Sequence, residues 1–143
     1  MVGLDVTREI VFTPTILNYC QRLNPKMGNY LAEITQFYFD FHWQQEHVLG
    51  AVINDPLVVF YALHPKLSRQ LTTFMTVVTS GIALGQSIVD IADFWHEKPN
   101  AILLQEIDAR AAMAFIIARL LNISLERAME ELDNIATDLE CLS

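Results

Sequence analysis

The chain has little positive charge. Lys and Arg together number 9 among 143 residues, against 17 Asp and Glu, so the formal net charge is −8. Proteins that bind nucleic acids need clustered Lys and Arg to contact phosphates, and this composition argues against that class. Residues 117–132 resemble the turn of a helix-turn-helix motif. Glu126, Glu130, Glu131 and Asp133 lie where that motif reads bases, and phosphates would repel their carboxylates. We therefore expect no nucleic-acid partner.

Cysteine and catalytic motifs are also scarce. Cys20 and Cys141 lie near opposite ends of the sequence and form no CxxC pair, which excludes a disulfide scaffold and a structural zinc site of that kind. The patterns GxSxG, GxxxxGK[ST] and GxGxxG are all absent, so the sequence contains no nucleophile elbow and no glycine-rich phosphate loop. We expect no catalytic residue and no cofactor.

Signals for export and for the membrane are weak. Asp5, Arg8 and Glu9 interrupt any signal-peptide apolar region at the N-terminus, so we expect a cytoplasmic protein with reduced thiols. Residues 70–89 carry no charge and would span about 30 Å as a helix. Threonine, serine and glutamine side chains interrupt this segment, and a buried helix is a better interpretation than a membrane span.

Apolar residues are abundant instead. They make up 52% of the chain, charged residues make up 18%, and the mean hydropathy is +0.29. Disorder is excluded, because this composition buries enough apolar surface to fold. It also indicates more apolar surface than one small core needs.

The prolines indicate where helices begin. They occur as Thr13-Pro14, Asn24-Pro25, Asp55-Pro56, His64-Pro65 and Lys98-Pro99. Proline is tolerated in the first turn of a helix, and Thr, Asn and Asp are favoured N-cap residues just before it. With a further start at Ser124, the sequence predicts six helices, at about 14–23, 26–53, 56–63, 66–97, 100–121 and 124–141.

These helices predict the fold. No alternation of apolar and polar residues is long enough to indicate a sheet. Linkers of two to four residues favour antiparallel neighbours. The expected fold is all-α, a single-domain bundle of about five to six antiparallel helices over residues 1–143. Gly81 and Gly85 are interpreted as a close helix crossing.

Two aromatic residues suggest a partner. Phe39 and Trp43 fall outside both the apolar sector and the polar side of helix 26–53, so each needs a second contact. Residues 109–118 are also nearly free of charge. A homodimer would cover these surfaces, and so would the short helices 14–23 and 56–63.

The last helix has an acidic face formed by Glu126, Glu130, Glu131 and Asp133. This face either keeps an apolar protein in solution or docks a basic protein. The leading hypothesis is a non-catalytic protein-interaction module that acts as a regulator, an immunity-type inhibitor or a chaperone-like factor.

The alternative hypothesis is a bundle that binds a metal or a small apolar ligand and could be an enzyme. His42 and Glu46 are spaced i, i+4, and Asp93 and His96 are spaced i, i+3, so each pair can share a helix face. Metal sites in bundles use such inward carboxylates and histidines. However, the sequence has no second Glu-x-x-His pair, and a histidine that caps a helix end is the simpler interpretation.

Overall fold

The fold combines helices with antiparallel strand pairs. The computed structural model describes residues 1–140, with side chains through residue 136. The helices are α1 Leu4–Thr7, α2 Pro14–Leu23, α3 Pro25–Glu46, α4 Asp55–Leu63, α5 Ala109–Leu121 and α6 Leu125–Glu140. The strands are β1 Val11–Phe12, β2 Ala51–Val52, β3 Ser68–Thr73, β4 Met75–Val77, β5 Ser87–Val89 and β6 Ala101–Ile107. A 3-10 turn at Pro65–Leu67 leads into β3.

The described strands form three two-stranded antiparallel sheets. β1 pairs with β2, and β3 pairs with β6 from Ser68 opposite Ile107 to Thr73 opposite Ala101. The β4–β5 pair lies between β3 and β6 in sequence, so one hairpin is nested within the other.

The core lies where α2, α4 and α5 meet the β1–β2 pair and β6. Its largest fully buried side chains are Phe60, Ile10, Leu57, Leu104, Ile117, Val6 and Cys20. Each fully buried aliphatic or aromatic side chain contributes about 1.5–3 kcal/mol by leaving water. This core holds β2 and the start of α4 in place.

Two helices begin at prolines, as predicted, and a side chain caps each of these starts. Thr13 Oγ accepts a hydrogen bond from the Ile16 N–H at 3.3 Å, and Asn24 Oδ1 accepts one from the Met27 N–H at 3.1 Å. These bonds satisfy N–H groups that a helix start leaves free. The predicted helix starts near residues 14 and 25 are confirmed.

α2 and α3 approach each other backbone to backbone at Gly28. A Cβ atom at this position would lie 2.3 Å from Gln21 Cα and 2.8 Å from the carbonyl carbon of Cys20. Only glycine fits this contact, which fixes where α3 sits against the core.

The expectation of an all-α bundle is wrong, and the fold is α/β. The predicted helix 66–97 is β3, β4 and β5, because its Thr, Val and Ile residues fit a pleated, half-exposed surface. Gly81 and Gly85 have φ angles of 79° and 87°, which place them in turns and not at a helix crossing.

Two other predicted helices are helical over only part of their length. The predicted helix 100–121 begins with β6 and is helical from Ala109, where the Asp108 side chain caps it. The predicted helix 26–53 ends at Glu46, and β2 follows. His47 ends α3 in the left-handed conformation, with a φ of 56°.

Three predicted helices are present at nearly their expected positions. α2 matches 14–23, α4 matches 56–63, and α6 follows the start predicted at Ser124. The predicted end at 141 lies outside the described residues. Within residues 1–140, no helix is long and apolar enough to cross a membrane.

Candidate functional site

The candidate site begins where β2 ends. Ala51 and Val52 are both buried, and the chain emerges from the core at Asn54 and Asp55 to start α4. In open α/β sheets, ligands bind beyond the carboxyl ends of strands, next to helix N-termini. The turn between β2 and α4 therefore brings two polar side chains to the surface next to the N-terminus of a helix.

Neither of these two side chains makes a hydrogen bond or an ion pair with the described residues. Asn54 is the N-cap of α4 but makes no capping hydrogen bond, unlike Thr13, Asn24 and Asp108 at their helix starts. Within the described part of the chain, the Asp55 carboxylate has no hydrogen-bond or ion-pair partner. Both side chains are exposed and free to bind a polar ligand.

An open crevice of about 220 Å³ lies against this pair. Ile34 and Tyr38 of α3 form its other side, and Tyr38 is 53% exposed. Small-molecule sites usually measure about 300–1,000 Å³ and enclose most of the ligand. The crevice is smaller than such sites and lies open to solvent.

An apolar stripe on α3 continues from the α3 side of the crevice. Ile34, Phe37, Tyr38 and Phe41 recur at helical spacing and are all exposed. The Phe37 and Phe41 rings stack with their centroids 6.3 Å apart. Leu31, one turn before Ile34 on the same helix, is buried and packs into the core.

The structure separates the predicted metal ligands. His42 is buried, and its Nδ1 lies 2.8 Å from the Tyr38 carbonyl oxygen, while Glu46 pairs with Arg8 at 3.1 Å. A metal site of three or more His, Cys, Asp or Glu side chains is not formed by any residues that the structure describes.

Asp93 and His96 do come together. Asp93 Oδ2 and His96 Nδ1 are 3.6 Å apart. They lie in the loop between β5 and β6, not on a helix, and both have positive φ angles. The i, i+3 spacing thus brings them together through a turn.

The two aromatic residues predicted to need a partner behave differently. Phe39 is half-buried, and its ring centroid lies 6.3 Å from that of Phe12 in β1. Trp43 is 55% exposed and contacts His47. Strand β1 therefore supplies a contact for Phe39 that the sequence does not indicate.

The acidic face of α6 is partly used inside the chain. Arg110 Nε donates to Asp133 Oδ1 at 2.7 Å, and a second hydrogen bond joins the same two groups. This two-bond pair fixes α6 against α5. Glu126 and Glu130 are exposed and Glu131 is half-buried, so a smaller acidic surface faces solvent.

Cys20 is not an activated nucleophile. It is a free thiol with no exposed surface, and burial raises its pKa to about 11. A thiol attacks as its thiolate, and a raised pKa leaves almost none at neutral pH.

Comparison with solved structures identifies proteins of similar fold. Two solved structures share the α/β fold. One is the purine-preferring ribonucleoside hydrolase from Gardnerella vaginalis, with a TM-score of 0.73 and 28% identity over 85% of this chain and 39% of that chain. The other is the plant nucleoside hydrolase PpNRh1, with a TM-score of 0.75 and 22% identity over 83% of this chain and 40% of that chain; at this identity it supports the fold alone.

The family follows from the sequence match. The model of the inosine-uridine preferring nucleoside hydrolases matches residues 1–114, and the chain belongs to this family. Probable uridine nucleosidase 2 of Arabidopsis thaliana is 27% identical over 84% of this chain and 39% of its own length. The pyrimidine-specific ribonucleoside hydrolase RihA of Klebsiella pneumoniae is 25% identical over the same shares. The chain thus spans about two fifths of the length of the relatives it matches.

These matches correct the functional hypothesis. A non-catalytic interaction module is the wrong class, because the relatives are ribonucleoside hydrolases. Sequence reasoning did not select Asn54 as a candidate site residue and treated Asp55 only as a helix cap. The available signal was an apolar run, Ala51 to Ile53, that ends in Asn-Asp-Pro.

Proposed function

We propose that this chain takes part in the hydrolysis of ribonucleosides, in which water replaces the base on the ribose. The family match over residues 1–114 carries the proposal. The relatives' names refer to uridine, pyrimidine and purine substrates. Because these preferences differ, the proposed substrate is the ribonucleoside class as a whole.

We assign the ribose side of the site to Asn54 and Asp55. A ribose presents hydroxyl groups, and the uncommitted Asp55 carboxylate can accept hydrogen bonds from them. Cleavage of a glycosidic bond passes through a positively charged, oxocarbenium-like sugar. A carboxylate placed beside the sugar stabilises that charge. Asn54 adds an amide that can both donate and accept.

We assign the base side of the crevice to Tyr38. Its ring is half-exposed beside Asn54 and Asp55. An aromatic ring can stack on any nucleobase, because every base has a π-face. This contact fits a site that binds ribonucleosides as a class.

Release of ribose tests the assignment. The protein is purified from its native host and assayed with uridine, cytidine, inosine and adenosine. We expect the Asp55→Asn variant to lower kcat/KM by about 100-fold or more, which is typical when a group that stabilises developing charge is lost. Asp40→Asn is the matched control, since Asp40 is an exposed aspartate on α3 outside the crevice. Its kcat/KM should stay within about twofold of wild type.

Two results would contradict the proposal. One is the absence of ribose release from all four nucleosides. The other is an Asp55→Asn variant as active as wild type.

We also propose a cytoplasmic location. The buried free thiol of Cys20 supports it, because thiols stay reduced in that compartment. Fractionation of cells with a fluorescently tagged chain tests this, and recovery outside the cytoplasm would contradict it.

A further inference from the structure

A cavity of about 410 Å³ lies where α4 and α5 end and α6 begins. Its lining includes His64, which ends α4, Asn122, which ends α5, and Leu125, the first residue of α6. None of its lining residues borders the crevice beside Asn54 and Asp55. Small-molecule sites measure about 300–1,000 Å³, so this cavity is large enough to be a second, separate site.

One aromatic ring holds two side chains of this cavity in place. The guanidinium carbon of Arg119 lies 5.2 Å from the centre of the Phe115 ring, a distance at which the ring attracts a cation. The His64 ring packs against the same Phe115 ring at an angle of 74°, with the centroids 4.9 Å apart. The buried ring of Phe60 contacts both His64 and Phe115. Arg119 and His64 are therefore positioned before any ligand binds.

The polar groups of the cavity have no partner within the chain. Among the residues whose side chains the structure describes, Arg119, His64 and Asn122 make no side-chain hydrogen bond and no ion pair. Three other arginines do pair with carboxylates: Arg8, Arg69 and Arg110. Arg119 lacks such a partner although acidic side chains outnumber basic ones by 17 to 9. Its donors are free to bind an external acceptor.

The donors and the apolar walls together define the ligand chemistry. A guanidinium binds a carboxylate or a phosphate through two parallel hydrogen bonds, and an imidazole or an amide can donate another. The remaining lining is apolar and consists of Phe115, Ala118, Ile123 and Leu125. We propose that this cavity binds a small organic oxyanion, a carboxylate or a phosphate monoester. Its charged group lies on Arg119, and its apolar body lies against Ile123 and Leu125.

The ends of α4 and α5 oppose an anion in this position. The C-terminus of a helix carries partial negative charge, which weakens anion binding by about twofold to fivefold at an exposed helix end. α6 begins at the same cavity, and the positive end of its dipole offsets part of this repulsion. Each charge-assisted hydrogen bond is worth about tenfold or more in affinity, and a bidentate pair forms two of them. The arginine therefore outweighs the helix ends.

The proposal is independent of the proposed hydrolysis of ribonucleosides. Apart from His64, every lining residue lies after residue 114, beyond the part of the chain that the family model matches. The cavity and the crevice at Asn54 and Asp55 can therefore be tested separately.

Isothermal titration calorimetry of the full chain tests the proposal. The probes are benzoate and phenyl phosphate, and benzyl alcohol is the uncharged control ligand. We expect at least one of the two anions to bind 1:1 with a Kd of about 1 mM or lower. Benzyl alcohol should bind at least about 10-fold more weakly, because it cannot form the charged pair. Binding of benzoate alone assigns a carboxylate ligand, and binding of phenyl phosphate alone assigns a phosphate ester.

Matched variants locate the site. Arg119→Gln should weaken anion binding at least about 10-fold, because the amide lacks both the charge and the two-pronged donor. Arg22→Gln is the control, since Arg22 is also an exposed arginine in the last turn of its helix, α2, but lies outside the cavity. Its effect should stay below about twofold, because solvent and salt screen a distant surface charge. Circular dichroism checks that both variants fold.

Three results would overturn the proposal. Neither anion could bind, benzyl alcohol could bind as tightly as the anions, or Arg119→Gln and Arg22→Gln could weaken binding equally. The absence of ribose release leaves this inference standing and counts only against the proposed activity.

Discussion

Replacing Gly28 with alanine tests the closest contact between α2 and α3. The new Cβ would lie 2.3 Å from Gln21 Cα and 2.5 Å from Gln21 N. Carbon atoms in contact prefer about 3.5–4.0 Å, so the two helices must separate by about 1 Å. Both clashing atoms are backbone, and no side-chain rotation can relieve the contact.

Two opposing effects set the magnitude. Alanine favours a helix over glycine by about 1 kcal/mol. Overpacking a close contact costs about 1–3 kcal/mol and occasionally more, and a rigid backbone neighbour places Gly28 at or above the upper end. The separation also loosens the packing of Tyr19 and Cys20, which are buried beside the contact. We expect a net loss of about 2 kcal/mol, or a Tm about 6 °C lower for a chain of this size.

Urea unfolding followed by circular dichroism measures this change. Gly81→Ala is the control, because a Cβ there meets nothing within 4 Å and only its positive φ is unfavourable. That control should lose about 1 kcal/mol, the lower end of the cost of a left-handed conformation, and Gly28→Ala should lose more. If Gly28→Ala is as stable as wild type or more stable, helix propensity outweighs the contact and the packing argument is refuted.

Two further predictions concern buried polar groups. Asp90 is buried, and its carboxylate accepts hydrogen bonds from two backbone N–H groups of the following loop at 2.7 Å each. Asp90→Ala should therefore lower the free energy of unfolding by about 1–3 kcal/mol and speed hydrogen exchange of those two amides. Asp93 is exposed, and Asp93→Ala should change the free energy of unfolding by less than about 0.5 kcal/mol. Equal losses in the two variants would contradict this. In a Cys141→Ser background, Cys20 should react with Ellman's reagent at pH 8 only on unfolding. Because burial raises the pKa of its thiol to about 11, its contribution to stability should be complete below pH 9 and be lost as the pH rises toward 11. A fast reaction in the native protein would show that the thiol is accessible.

Proline chemistry made the helix starts predictable. Thr13 and Asn24 precede proline and cap their helices, as local sequence alone requires. Pro65 shows the limit of this rule, because it opens a single 3-10 turn that leads into β3. Proline permits a helix to begin, but the residues that follow decide whether it continues.

The strands were not predictable by periodicity. Paired residues of β3 and β6 are 28 to 39 positions apart in sequence, from Thr73 opposite Ala101 to Ser68 opposite Ile107, and neither strand alternates cleanly between apolar and polar side chains. Each segment forms a strand because it pairs with the other. A short stretch of sequence does not contain its distant partner, so local periodicity does not indicate the pairing. The β-branched residues around Thr72, Thr76 and Val77 were the available signal.

The candidate site escaped prediction for a related reason. His42 and Glu46 attracted attention because metal ligands often share helical spacing, but one is buried against its own helix and the other pairs with Arg8. Asn54 and Asp55 look like an ordinary helix start. Only the structure shows that they make no cap and face an open crevice.

The nested hairpins determine the order in which this part of the chain can fold. β4 and β5 close a short turn, with Val77 opposite Ser87, whereas β3 must find β6 across a much longer loop. Each halving of a loop lowers the entropic cost of closure by about 0.6 kcal/mol. Once the inner pair has formed, it shortens the effective loop between Thr73 and Ala101. We therefore expect the inner hairpin to form first during folding, with the outer pair closing after it.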